Sequence, residues 1–170
     1  MTHKIITVWT GRGESHGRAH AGLPYAKTET HFDRSVADIK GLLRKFKCDK
    51  IVDFSQTATL DKIGKVELTT IGFEKDGLQY RIDFPITFTE NSQEKRLNMD
   101  VSGRIIYNRI KAQLTDLEIG YLTFHEAMFA NLAIPSPEGS KTIMEVVQDQ
   151  LPAIKRGSFS LLQLMEGGRS

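Results

Sequence analysis

Residues 65–84 read as one β-hairpin, and that hairpin constrains the fold more than any other feature of the chain. Leu78, Tyr80, Ile82 and Phe84 alternate with Gln79, Arg81 and Asp83, the period of a half-buried strand over 78–84. In residues 65–74, Val66, Leu68 and Thr70 alternate in the same way, and the pattern blurs at Ile71, Gly72 and Phe73. Lys75-Asp76-Gly77 joins the two segments. Asp-Gly supplies the positive φ angles of a tight turn, so the pair should be antiparallel. Residues 50–55, short and rich in β-formers, supply a third strand, with Asp61-Lys62-Ile63-Gly64 as the turn into the second. Pro85 has no backbone donor and ends the ladder.

A single sheet with one apolar face must be covered, and the flanking segments carry helical signals. Ser35, with Asp38 three residues on, reads as a capping box that opens a helix. Val36, Ile39, Leu42, Leu43 and Phe46 then fall on one face. After the sheet, the polar stretch 90–100, ENSQEKRLNMD, reads as a loop leading into a helix over about 97–117. Ile106, Ile110, Leu114 and Leu117 form its apolar face, and Gly120 stops it. Thr123 with Glu126 opens a short helix, FHEAMFANL; Pro135 and Pro137 break the chain; Thr142 with Glu145 opens another helix that should end before Pro152. Helix, strands, then helices contains no βαβ alternation. The expected fold class is therefore α+β: an antiparallel three-stranded, or slightly larger, sheet with an N-terminal helix and C-terminal helices packed on one face.

Residues 1–24 read as a flexible N-terminal arm or an extra strand with a Gly/His-rich loop. Ile5, Ile6, Val8 and Trp9 make a short apolar run, and TGRGESHGRAHAGLP follows it. Residues 25–152 form the single α+β domain, and 153–170 a C-terminal tail with an apolar patch over 159–164. No apolar run is long enough to span a bilayer, and MTHKIITVW does not read as a signal peptide. The one cysteine, Cys48, excludes an internal disulfide and reads as a partly buried structural thiol. These features predict a cytoplasmic protein with no membrane partner.

Net charge is +2, but it is unevenly spread. Residues 1–50 hold ten Lys and Arg against five Asp and Glu, whereas residues 51–100 hold six against nine. On the first helix Lys40, Arg44 and Lys47 share a stripe; on the second, Arg104 and Lys111 lie seven apart; Arg81 lies on the polar face of the hairpin. Together these are the candidate nucleic-acid-binding residues, suited to backbone phosphates. Other chemistry is poorly supported. TGRGESHG carries Arg12 and Arg18 but lacks the lysine and spacing of a P-loop, and the dinucleotide pattern lacks its third glycine. His16 and His20 stand four apart, with His31 further on, in a glycine-rich context that disfavours a helical metal clamp, so neither a metal nor a cofactor is predicted. His125 and Glu126 are adjacent, which on a helix turns them about 100° apart, and Glu126 already serves as a capping partner.

Residues 25–152 resemble a family of small proteins of unknown function that recurs in phages, prophages and bacterial mobile regions. The resemblance rests on SVADIKGLLRKFKC, IGFEKDGLQYRIDFPI, RIKAQLTDLEIG and TFHEAMFANLAIPSPEG. The chain departs from the pattern at Cys48, which stands at a glycine-like step, at His125, which replaces an acid, and at Pro137-Glu138-Gly139, which replaces the usual turn. The resemblance implies a mobile-element origin and carries no established catalytic residue. The leading expectation is a non-enzymatic phage or prophage accessory protein that binds nucleic acid or a nucleic-acid-processing complex. One alternative is a host-defence inhibitor or nucleotide-sequestering protein, whose partner would be a host or phage protein or a small nucleotide, acting as an oligomer. A second is a small metal-independent enzyme using Glu126, His125 and one of Arg81, Arg104 or Arg109.

Overall fold

The computed structural model describes residues 5–9, 25, 28–60, 64–90, 95–136 and 139–155. In chain order these form β1 (Ile5–Trp9), α1 (Phe32–Lys45), β2 (Asp49–Leu60), β3 (Gly64–Lys75), β4 (Leu78–Asp83), β5 (Ile86–Glu90), β6 (Lys95–Leu97), α2 (Met99–Glu118), α3 (Phe124–Ala127), a 3-10 turn (Phe129–Asn131), β7 (Ala133–Ser136), β8 (Gly139–Thr142) and α4 (Ile143–Lys155). The architecture is α+β. Its centre is the antiparallel meander β2-β3-β4. Asp76 (φ 53°) and Gly77 (φ 79°) both adopt the left-handed conformation that a two-residue hairpin turn demands. Phe73 then pairs with Tyr80 and Gly72 with Arg81. The β2 strand is much longer than residues 50–55. It stays in register with β3 from Val52↔Gly72 to Leu60↔Gly64, with a bulge at its start where Lys50 takes φ 47°. Residues 61–63 of the intervening turn lie outside the described residues.

One face of the meander carries the main core. Ile71, Phe73, Tyr80, Ile82 and Phe84 pack against Val36, Ile39 and Leu43 of α1 and Ile106, Ile110 and Leu114 of α2. Phe73 stacks on Tyr80 at 5.2 Å between ring centroids, and Phe124 meets both rings edge-on. The two helices run parallel: Asp100 at the start of α2 meets the start of α1, and Glu118 at the end of α2 pairs with Lys45 at the end of α1. They approach closely at Gly103, where a methyl group would come within 2.8 Å of Ser35 Cβ.

That contact corrects the expected start of α1. The helix begins at Phe32, and Ser35 is fully buried inside it rather than capping it. The first amide is satisfied from another element: Phe32 N–H donates to Asp100 Oδ1 at 2.7 Å. Asp38, freed from any capping role, pairs with Arg34.

A second sheet, β1-β5-β6, follows the meander. β1 runs parallel to β5, with Ile5 opposite Ile86, and β6 is antiparallel to β5. Part of the polar stretch expected to be a loop is thus strand β6. Ile86 and Phe88 of β5 bury Val66, with Ala58, Leu60 and Leu68 packed around them. This second core explains why β2 and β3 run on past the main one.

Two further corrections concern proline. Pro135 lies inside β7, opposite Ser140 of β8, instead of breaking the chain; a two-stranded ribbon tolerates one missing donor at an edge. Pro152 lies inside α4, which runs on to Lys155. Proline forfeits one helical hydrogen bond, but the residues after it still donate to the preceding turn. The segment FHEAMFANL is helical only over Phe124–Ala127 before tightening into the 3-10 turn. Among the described residues, no helix is long and apolar enough to cross a membrane.

Candidate nucleic-acid interface

The basic residues of α1 do not act as one stripe. Lys40 is engaged by Asp53 of β2, and that bond holds the Asp53 carboxyl below the usual carboxylate range. Arg44 and Lys47 remain exposed, with no ion-pair partner among the described residues. Lys47 sits where α1 ends. Its φ is 58°, its amide donates to Arg44 O at 2.9 Å and the next amide, of Cys48, donates to Leu43 O at 3.1 Å. This is the closing loop of a helix that usually calls for glycine. Here lysine occupies the left-handed position, so a cation stands at the negative end of the helix dipole.

On α2 the pair Arg104 and Lys111 is joined by an aromatic residue that charge patterning alone does not single out. Tyr107 lies between them, with the Arg104 guanidinium 4.4 Å and the Lys111 ammonium 6.0 Å from its ring centroid. The signal was in the sequence: positions 104, 107 and 111 follow the i, i+3, i+7 spacing of one helix face. The tyrosine's own packing against the core fixes the ring, and the ring orients both cations.

The α1 and α2 groups lie on different flanks. Lys40 reaches β2, while Lys45, five positions on and so about 140° round the helix, reaches Glu118 of α2. Arg44, about 40° round the helix from Lys40, therefore lies toward the β2 side of α1, whereas Arg104 and Lys111 belong to α2, on the side that Lys45 reaches.

Arg81 departs from the expected basic surface altogether. Its side chain is only 4% exposed. Nε donates to Asp83 Oδ2 at 3.0 Å, one terminal nitrogen donates to Ser140 O, and the other to Glu145 Oε2. Glu145 is also the capping partner of α4, accepting from Thr142 N at 2.7 Å. Burial pushes the Glu145 carboxyl up, but the Thr142 amide and the Arg81 charge outweigh it and hold the carboxyl below its ordinary range. Thr70 Oγ1 donates to Asp83 Oδ1 at 2.9 Å, and Asn131 Nδ2 to Arg81 O at 2.9 Å. Arg81 thus clamps β4, β8 and α4 together on the sheet face opposite the main core, and it offers no free donor to a phosphate.

The residues of the enzyme alternative point apart. Glu126 Oε2 accepts from Thr123 N and from Thr123 Oγ1, both at 2.7 Å, closing its own helix. His125 turns the other way, with Nδ1 2.6 Å from Tyr80 Oη and Nε2 3.5 Å from Asp76 Oδ2. Burial first, and the nearby Asp76 charge second, raise the Tyr80 phenol above its ordinary value. Arg109 reaches Asn131 Oδ1 at 3.3 Å, and Arg104 is stacked on Tyr107.

Among the described residues no group of three or more His, Cys, Asp or Glu side chains is placed to hold a metal. His31 is exposed, 3.7 Å from Asp100. His16, His20, Arg12, Arg18 and the apolar patch 159–164 lie outside the described residues. A shallow groove of ≈ 250 Å³ runs over the outer face of the meander, lined by Val52, Phe54, Gly72, Gln79 and Ala133. Two of its cations are already paired, Lys50 with Glu74 and Arg81 as above. No family model, curated protein or solved structure matches the chain.

Proposed function

We propose that the protein is a non-enzymatic accessory protein of a phage or other mobile element that binds nucleic acid, alone or within a nucleic-acid-processing complex. The observation that carries the binding reading is the Arg104–Tyr107–Lys111 triplet on α2. A guanidinium stacked on a fixed ring loses little freedom when its outward N–H groups meet a phosphate. The lysine adds a second charge on the same face, and release of counterions from a polyanion favours the complex. Arg44 adds charge on the far flank of α1, and Lys47 adds it just past the helix end. The mobile-element origin rests on the sequence resemblance alone. The divergence of His125 and Glu126, each already held by other partners, supports a binding role over a catalytic one.

Fluorescence anisotropy with labelled single- and double-stranded DNA and RNA at low salt tests the reading. Binding to at least one of these is expected, with a loss of about tenfold or more on Arg104→Glu with Lys111→Glu, uniform across sequences. Absence of binding to all of them at low salt overturns it.

A further inference from the structure

β2 is an edge strand of unusual length and exposure. It is paired on one side by β3 without a break from Val52 to Leu60, and among the described residues no strand pairs its outer edge. Natural edges are blunted by charges, prolines or short length. From Phe54 to Leu60 the sequence is FSQTATL, seven consecutive residues without charge, proline or glycine. Val52 is 56% and Phe54 45% exposed on the same face of this strand. Backbone donors and acceptors along such an edge match any extended chain; the side chains decide which chain.

We infer that this edge pairs with the same edge of a second copy, antiparallel and about a two-fold axis, extending the meander to a six-stranded sheet. In an antiparallel pair, directly opposite residues either both direct their backbone groups toward the partner strand or both direct them away. Around a two-fold axis this places a residue opposite itself at the centre. Centring on Asp53 would set like charges against each other, and centring on Thr57 would carry Asp53 past Leu60, the end of the strand. Within the regular run from Val52 to Leu60, where Asp53 is the only charged residue, the centres Phe54, Ser55 and Gln56 avoid this. They place Asp53 opposite Ser55, Thr57 or Thr59 of the second copy and bring the Val52 and Phe54 side chains of both copies onto one sheet face. Uncharged Ser, Thr and Gln then meet across the strands, pairs that stabilise sheets. The inference is independent of the nucleic-acid reading.

A single strand pair is a small interface beside the roughly 1,200 Å² at which stable complexes begin, so the dimer is weak and depends on concentration. Sedimentation velocity over a concentration series tests this. The wild-type protein should pass from monomer to dimer. Phe54→Lys with Gln56→Lys places like charges opposite each other in all three registers and should leave a monomer. Phe54→Glu with Gln56→Glu should do the same, and an equimolar mixture of the two variants should dimerise again. Hydrogen exchange on the wild-type protein reads the same contact without substitution: amides at alternate positions within 54–60 should slow as concentration rises. A wild-type protein that stays monomeric up to about 100 µM, a dimer that survives the lysine pair, a mixture that stays monomeric, or exchange in 54–60 that ignores concentration would each overturn the inference.

Discussion

Arg81 shows how far one residue's role can differ from its residue type. It lies on a strand face that alternates polar with apolar, yet it is buried and holds Asp83, Glu145 and the Ser140 carbonyl together. Removing the cation leaves two half-buried carboxylates facing each other. Arg81→Met should therefore cost about 3 kcal/mol, at the low end for a broken buried pair because both acids keep some water. Urea denaturation measures it, and a loss under about 1 kcal/mol would mean the cluster is solvated. The same cluster sets a pH dependence. Glu145 is held below its ordinary value in the fold, so its contribution is fully present above the unfolded carboxylate pKa, about 4.3, and is lost as pH falls through the lower folded value. Glu145→Gln should be less stable than wild type at neutral pH, and the gap should narrow on acidification below that range. Cys48 offers a second residue-scale test. Burial, chiefly, pushes its thiol up to about 11, against a small opposing effect of Lys75. Native protein at pH 7 should resist iodoacetamide and react only on unfolding; rapid labelling of the native state would contradict the burial.

The parallel packing of α1 on α2 depends on Gly103. A β-carbon there meets Ser35 Cβ at 2.8 Å, Ser35 Oγ at 3.1 Å and Phe32 at 3.2 Å, whereas one on Gly72 meets only ordinary contacts at 3.6 and 3.9 Å. Gly103→Ala should destabilise by about 1–2 kcal/mol despite alanine's better helix propensity, since the helices must part. Gly72→Ala should cost little or nothing, and thermal unfolding of the two variants makes the comparison. Elements set by local chemistry were legible in the sequence. Asp76-Gly77 fixes its own turn, and the Thr123–Glu126 and Thr142–Glu145 boxes close as their spacing predicts. What was not legible depends on distant partners. α1 starts at Phe32 because Asp100 lies above it, β1 and β5 pair across the whole meander, and Arg81 is buried because Glu145 arrives from α4. No window of sequence contains those pairs. The basic stripe of α1 was readable as a stripe, but Asp53 removes Lys40 from it, while Tyr107, on the same face as Arg104 and Lys111, carries no charge to mark it.

At the scale of the whole molecule, the meander is a platform with two different faces: apolar under α1 and α2, and polar where Arg81 ties β8 and α4 to it. The helices on the apolar side turn their own basic residues outward. If those residues meet phosphates, binding must depend on salt in proportion to the contacts made. The most direct test is the slope of log affinity against log salt concentration, measured by anisotropy on one oligonucleotide. The wild-type slope should be steep, and Arg104→Gln with Lys111→Gln should flatten it by about two, one for each lost phosphate contact. Lys40→Gln should change it little, because that lysine is already held by Asp53. A slope unchanged by the α2 pair, or one lowered as much by Lys40→Gln, would contradict the account.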